Sequence, residues 1–347
     1  MSSAIADVAA RAGVSKATAS RALSGNGYVA EATRLRVIAA AEEIGYVASP
    51  NAASLVTGQT KNIGVVMPFI NRWFFGEVLE GIEQTLLDRG YDMTLYNLHP
   101  GTTDRQRVFE FFLARKRFDG VVLIGVEPSP TEVERLVRLG VPLVGIGGPV
   151  VGIPSYAMDD RAAARRATEH LIGLGHRRIT HIAGDGSEAL EESVPAKRYA
   201  GYLDAMAAAG LERSCRAEMT AMSLPGGYDA GTHVLSDATD RPTAIFAACD
   251  EIAIGTIIAA RRLGLRVPGD VSVIGIDGHE YAEMFSLTTI EQRPRDQGRK
   301  AVTSLLDQIA GGEVLPAVVD VPARLVVRAS TSTENADAGT PLGVATG

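Results

Sequence analysis

From residue 63 onward the chain alternates two kinds of text. Short apolar runs ("IGVVM", "MTLY", "GVVLI", "VPLVGI", "RITHIA", "TAIFAA" and "VSVIGI") alternate with amphipathic stretches over 74–89, 103–117, 131–139, 197–209 and 250–263, and a further helical pattern follows residue 160. An apolar run of this length without polar alternation fits a strand buried on both faces, and a 3.6-residue periodicity fits a covering helix. Strand, helix, strand repeated in this order predicts an α/β fold of doubly wound parallel sheets. The strands fall into two groups, and roughly 280 residues exceed one ordinary core, so two lobes are expected. Residues 61–330 form this core, with 61–160 and 291–330 in the first lobe and 161–290 in the second.

The first 46 residues read differently. Their periodicity predicts three short helices over 5–12, 16–23 and 31–44, with Gly13 in the first connection and "SGNGY" in the second. Ile5, Val8, Ala9, Ala12 and Val14 would turn inward with Ala19, Ala22 and Leu23. That arrangement leaves Lys16, Ala17, Ser20 and Arg21 on the outer face of the second helix. Two short helices around a glycine turn match the helix-turn-helix unit, whose second helix enters the major groove. Lys16, Ala17 and Arg21 could reach base edges, and the hydroxyls of Ser15, Thr18 and Ser20 suit phosphate oxygens. A three-helix module whose charges serve only solubility has the same periodicity. Residues 47–60, "VASPNAASLVTGQT", are small and polar apart from Leu55 and Val56 and read as a linker. Residues 331–347 have no periodicity and read as a disordered tail.

Charge sharpens this division. The 347 residues carry a net charge of −7, yet residues 1–60 hold five basic and four acidic side chains, so that segment is +1 and the remainder −8. A +1 footprint is weak for nucleic acid, and DNA binding on it calls for two copies of the headpiece. No apolar run reaches the roughly 18 residues of a membrane span, and Asp7 and Arg11 interrupt any secretion signal, which points to a cytoplasmic location with no membrane partner. Cys215 and Cys249 are too few for a disulfide framework and have no zinc spacing, and neither a metal nor another cofactor is expected.

The stretch "IADVAARAGVSKATASRALSGNGYVAEATRLRVIAAAEEIGYVASPNAASLVTGQTKNIGVV" resembles the N-terminus of the LacI/GalR family of bacterial transcription repressors. The likeness continues in order through "FFGEVLEGIE", "FDGVVLIG", "ATEHLIGLGHRRITHIAG", "RYAGYLDAM", "PTAIFAACDEIAIG", "VPGDVSVIGIDG", "LTTIEQ" and "LVVRAST", nearly the whole chain. The resemblance implies paired headpieces on a pseudo-palindromic operator and a periplasmic-binding-protein-like core that takes a small effector. It places base reading on Lys16, Ala17 and Arg21 and backbone contacts on Tyr28 and Thr33. In the linker it implies a hinge helix in which Leu55 enters the minor groove, with Ala52 and Ala53 small enough for close approach. Three positions depart from the family's habit here: Ala53 stands for an arginine, Pro50 comes late, and Ala30 stands for a Ser or Thr helix cap worth about 1 kcal/mol.

In a two-lobed core of this kind, ligands sit at the carboxyl ends of the strands. After "IGVVM" the loop supplies Asn71, Arg72, Trp73 and Phe74 as candidates for stacking on a sugar ring and bonding its hydroxyls. The resemblance adds Arg198 as the effector-contacting arginine, with Asp250, Asp277 and Gln292 at three further cleft positions. Gly147 and Gly148 replace a common Asp-Arg pair and Cys249 replaces a common Asn, which suggests a roomier, less polar pocket and a sugar, sugar derivative or oligosaccharide as partner.

Two other classes fit less well. An enzyme would need a phosphate loop or a nucleophile arrangement, and "GIGGPVVG" lacks the dinucleotide spacing. His170, His176 and His181 read as structural. A periplasmic receptor would need a signal peptide and no headpiece. The tail has no leucine heptads, so a homodimer is expected rather than a tetramer.

Overall fold

A computed structural model of the chain describes residues 5–24, 27–46, 58–98, 103–115, 117–184, 193–314 and 316–334. Three helices open it: α1 (Ile5–Ala12), α2 (Lys16–Ser24) and α3 (Glu31–Glu43). Val8, Ala9, Ala19, Ala22, Val37, Ala40 and Ala41 meet between them. Alanine at five of these seven positions lets short helices approach closely, which is how so few residues enclose a core. Gly13, at φ +65°, ends α1 in a left-handed turn that alanine would strain. An exposed Arg11–Glu43 ion pair joins α1 to α3. Ala30 supplies no side-chain cap to α3. Its carbonyl accepts the Thr33 and Arg34 N–H groups at 2.9 and 3.0 Å, and the buried Val37, Ala40 and Ala41 anchor the helix. The linker residues Ala52, Ala53 and Leu55 lie outside the described residues.

The remainder builds two sheets. The first lobe holds β1 (Asn62–Met67), α4 (Trp73–Asp88), β2 (Asp92–Asn97), α5 (Asp104–Arg107), β3 (Gly120–Ile124), α6 (Pro130–Val137), β4 (Leu143–Ile146) and β5 (Ser155–Ala157). The second holds α7 (Asp160–Gly173), β6 (Ile179–Gly184), α8 (Val194–Ala208), β7 (Arg216–Thr220), α9 (Leu224–Ser236), β8 (Ala244–Ala247), α10 (Asp250–Arg262), β9 (Ser272–Asp277) and β10 (Thr288–Glu291). The chain then returns to the first lobe through α11 (Pro294–Ile309) and β11 (Val318–Asp320), and ends in the second with β12 (Arg324–Val326). Strand order is β11-β5-β4-β3-β1-β2 in one sheet and β12-β10-β9-β8-β6-β7 in the other. Every residue of β3, β4, β6, β8 and β9 is buried, as the unbroken apolar runs of β3, β4 and β8 require; β6 and β9 bury Thr180, His181, Ser272 and Asp277 as well. The returning α11 fits tightly on α4: a Cβ on Gly81 would stand 2.1 Å from the Arg295 carbonyl oxygen, so only glycine permits that approach.

Three expectations are corrected. Residues 324–330 belong to the second lobe rather than the first, because β12 pairs antiparallel with β10. An antiparallel edge strand needs no crossover helix, so three residues suffice and leave no apolar run to read. The helix expected over 103–117 is regular only for Asp104–Arg107, then widens into a π turn at Val108–Phe112 and tightens to 3-10 at Leu113–Arg115. Adjacent Val108 and Phe109 are both buried, and the wider turn lets both reach the core. The tail expectation also fails at its start. Thr331 reaches His170 at 3.1 Å, Ser332 holds His176 through its carbonyl at 3.0 Å, and the Glu334 N–H donates to the Leu174 carbonyl at 3.0 Å.

Candidate functional site

Two regions collect the candidate residues. In the headpiece, Lys16, Ala17, Ser20 and Arg21 are all exposed on α2, while Ala19 and Ala22 of the same helix are buried. Arg21 folds back along the helix, its Nε donating to the Ala17 carbonyl at 3.2 Å. Ser15 Oγ accepts the Thr18 N–H at 3.1 Å and lies 2.9 Å from the Thr18 hydroxyl. The Ser15 hydroxyl therefore caps α2, and the Thr18 hydroxyl is paired with it. Tyr28 is 93% exposed and Thr33 is half-buried in α3. One face of α2 thus presents donors to solvent, and no acidic side chain lies in its first turn to repel a phosphate.

The second region is a cavity of about 240 Å³ between the lobes. Its first-lobe wall carries Arg72, Phe74 and Glu127, and its second-lobe wall carries Asp160, Arg198 and Asp277, with Gln292 at the crossover. Arg198 is the centre of the polar group. Its Nε donates to Asp160 at 2.8 Å, one amino group donates to the Ala248 carbonyl at 2.6 Å, and the same group stands 3.9 Å from Asp277. Gln292 donates to the Asp277 carboxylate at 2.6 Å. Burial raises the pKa of both Asp160 and Asp277, with Arg198 opposing the shift in each. Burial also disfavours the Arg198 charge, but Asp160 and Asp277 outweigh it and hold the guanidinium more basic than usual. Asp277 stands at φ +139°, a conformation non-glycine residues rarely adopt, as is common where a side chain must be aimed.

Three expected cleft residues are placed elsewhere. Asn71 is exposed and outside the cavity wall. Trp73 is turned away from the wall, its indole stacked on His279. Asp250 is fully buried behind the wall, where its carboxylate accepts the Gly278 and His279 N–H groups at 2.9 and 2.8 Å and the Thr289 hydroxyl at 2.7 Å. It thereby orients the loop after Asp277. The extra room expected at Gly147 is also absent, since the Phe74 ring lies 3.1 Å from where a Gly147 Cβ would stand. Sequence reading missed Glu127, Asp160 and Glu251 on the wall. The signal for Asp160 was present in "MDD", where Asp159 caps α7 through the Ala162 N–H at 2.9 Å and Asp160 follows as its first residue. Glu127 lies in a loop and carries no comparable mark.

A helix-turn-helix headpiece followed by two parallel-sheet lobes around a polar cavity defines a DNA-binding regulator with a periplasmic-binding-protein-like core. Residues 4–50 match the model described as bacterial regulatory proteins, lacI family, and residues 168–331 match the periplasmic binding protein-like domain. Similar proteins include the HTH-type transcriptional repressor PurR of Serratia proteamaculans (strain 568), 36% identical over 336 residues that span 94% of this chain and 96% of that one. The chain belongs to the LacI family of bacterial regulatory proteins, and it is a DNA-binding transcription regulator, not an enzyme. Among solved structures, a lac repressor dimer bound to operator and the anti-inducer ONPF is similar at TM-score 0.82 and 26% identity, over 96% of this chain and 100% of that one. A transcriptional regulator CelR–cellobiose complex is similar at TM-score 0.66 and 30% identity, over 94% and 99%. Among the described residues no helix is long and apolar enough to cross a membrane.

Proposed function

We propose that this chain acts in the cytoplasm as a homodimeric repressor that reads a pseudo-palindromic operator and is controlled by a small carbohydrate-type effector in the inter-lobe cavity. The observation that carries the effector reading is the Arg198–Asp160–Asp277–Gln292 group, a buried set of donors and acceptors opening onto a cavity walled on its other side by Phe69, Phe74 and Phe75. Hydroxyls suit such donors and acceptors, and the aromatic faces suit the C–H side of a sugar ring. A volume of about 240 Å³ lies below the roughly 300–1,000 Å³ of ordinary ligand pockets, which favours a single ring at this lobe separation. A disaccharide, as in the CelR–cellobiose complex, would require the lobes to part.

Base reading falls to Lys16, Ala17 and Arg21, with Tyr28, Thr33, Ser20 and the paired hydroxyls of Ser15 and Thr18 near the backbone. Leu55, with Ala52 and Ala53, would serve as the hinge. Any control must follow from unequal affinity of the effector for two lobe arrangements. Selection of random duplex DNA by the purified protein tests the first half: two inverted half-sites are expected, and a single asymmetric site would rule out the dimer reading. Titrating monosaccharides against the selected duplex tests the second half. A saturable change in DNA affinity is expected, and failure of every sugar would remove the carbohydrate assignment.

A further inference from the structure

The electrostatics of the cavity narrow its ligand further, on the reading that the cavity is the effector site. Four carboxyl groups line it, Glu127, Asp160, Glu251 and Asp277, against two guanidinium groups, Arg72 and Arg198. Both guanidinium groups are already engaged. Arg198 bonds Asp160 and the Ala248 carbonyl, and Arg72 donates to the Met222 carbonyl on the opposite lobe. Lys197 adds a positive charge near both Glu127 and Asp160.

An anionic ligand in such a cleft would ordinarily turn to helix N-termini, where unpaired N–H groups collect at the strand ends. Here the chain's own carboxylates stand at those ends, and two of them do so across the cleft. Glu127, from the first lobe, faces the N–H of Val194, the first residue of α8 in the second lobe. Glu251, from the second lobe, faces the N–H of Trp73, the first residue of α4 in the first lobe. Asp159 and Asp160 open α7, and Asp250 and Glu251 open α10.

We infer that the cavity excludes anions and takes a compact ring bearing hydroxyl or amino donors without a phosphate or carboxylate, with Glu127 and Glu251 as the residues that set this specificity. A phosphate would meet carboxyl groups in place of free cations, and helix ends already facing the Glu127 and Glu251 carboxylates. A hydroxyl or ammonium would meet acceptors short of donors. Burial raises the pKa of all four carboxyl groups above its ordinary value, so each can present a hydroxyl or a carboxylate oxygen to a ligand hydroxyl or amino group.

The test uses the full-length protein and a bacterial small-molecule extract divided on an anion-exchange resin. The flow-through and the retained fraction are each titrated while melting temperature and affinity for the selected duplex are followed. Activity confined to the flow-through supports the inference. Activity in the retained fraction overturns it, with or without activity in the flow-through, and leaves the cavity as an effector site. Inactivity of both overturns the effector reading and this inference with it. Once an active compound is isolated, Glu127→Gln with Glu251→Gln should retain the wild-type melting temperature within a few degrees and bind it about tenfold more weakly. If a folded double variant keeps full affinity, these two residues do not set the specificity. Glu127→Asp with Glu251→Asp, which keeps both charges, serves as the control for packing.

Discussion

Trp73 lies on the imidazole of His279, ring centroids 4.7 Å apart and planes inclined by 24°. The first residue of a first-lobe helix thus rests on a second-lobe loop, and that loop is held by Asp250. Trp73 is the only tryptophan in the chain, so its fluorescence reports on the contact between lobes.

Burial lowers the His279 pKa to about 4, so the stacked imidazole is neutral through the physiological range. Asp250, which holds this loop and whose pKa burial raises to about 6, titrates earlier, so the part of the acid-induced emission change that His279→Phe abolishes should have a midpoint near 4. A midpoint near the ordinary value of about 6.5 would mean an open stack. His279→Ala should increase the quenching of Trp73 by acrylamide.

Arg198 compensates two buried carboxylates, so its removal costs more than one bond. Arg198→Met should lower unfolding free energy by about 3–5 kcal/mol, because Asp160 and Asp277 would remain buried without it. Adding Asp160→Asn should recover part of that loss in urea denaturation. Equal stability of the single and double variants would show that the Arg198–Asp160 pair is not coupled.

His181 is fully buried, its Nδ1 bonded to the Phe246 carbonyl at 2.9 Å and its ring stacked on Phe246, and burial lowers its pKa to about 4. The folded state therefore resists the proton that the unfolded chain accepts below about pH 6.5, and stability is lost as pH falls from 6.5 toward 4. Against His181→Phe, the wild type should lose up to roughly 3 kcal/mol of relative stability across that window. Parallel pH curves for the two proteins would contradict this assignment.

In the headpiece, Arg21→Ala should lose about 1–3 kcal/mol of discrimination at one operator position, and Lys16→Ala should act on affinity or specificity according to whether it touches phosphate or base. Anisotropy titrations on single-base operator variants separate these outcomes. Loss from Arg21→Ala that is uniform across all sequences would reassign Arg21 to the backbone.

Ala30 leaves α3 without a side-chain cap while its backbone, at φ −56° and ψ 137°, already has the geometry of a capping residue. Ala30→Ser should therefore stabilise the headpiece by about 1 kcal/mol, read as slower amide exchange along α3.

What could be read along the chain was whatever depends on local period. The buried strands β3, β4 and β8 are continuous apolar runs because both faces are covered, and α2 separates Ala19 and Ala22 from Lys16 and Arg21 because three- and four-residue spacing selects a face. Arg72 and Phe74 were legible as candidates because they stand between a strand end and a helix start, whereas Arg198, Asp277 and Gln292 were legible only through the family resemblance. What only the tertiary structure decided was which of those starts face one another. The distance between Trp73 and His279, the retreat of Asp250 behind the wall, the filling of the Gly147 space by Phe74 and the crossing of Glu127 and Glu251 to the opposite lobe all depend on how two separately folded sheets are set together. Period along a chain encodes which face a residue shares with its neighbours. It carries no record of what a second lobe, joined through three crossings, brings against that face.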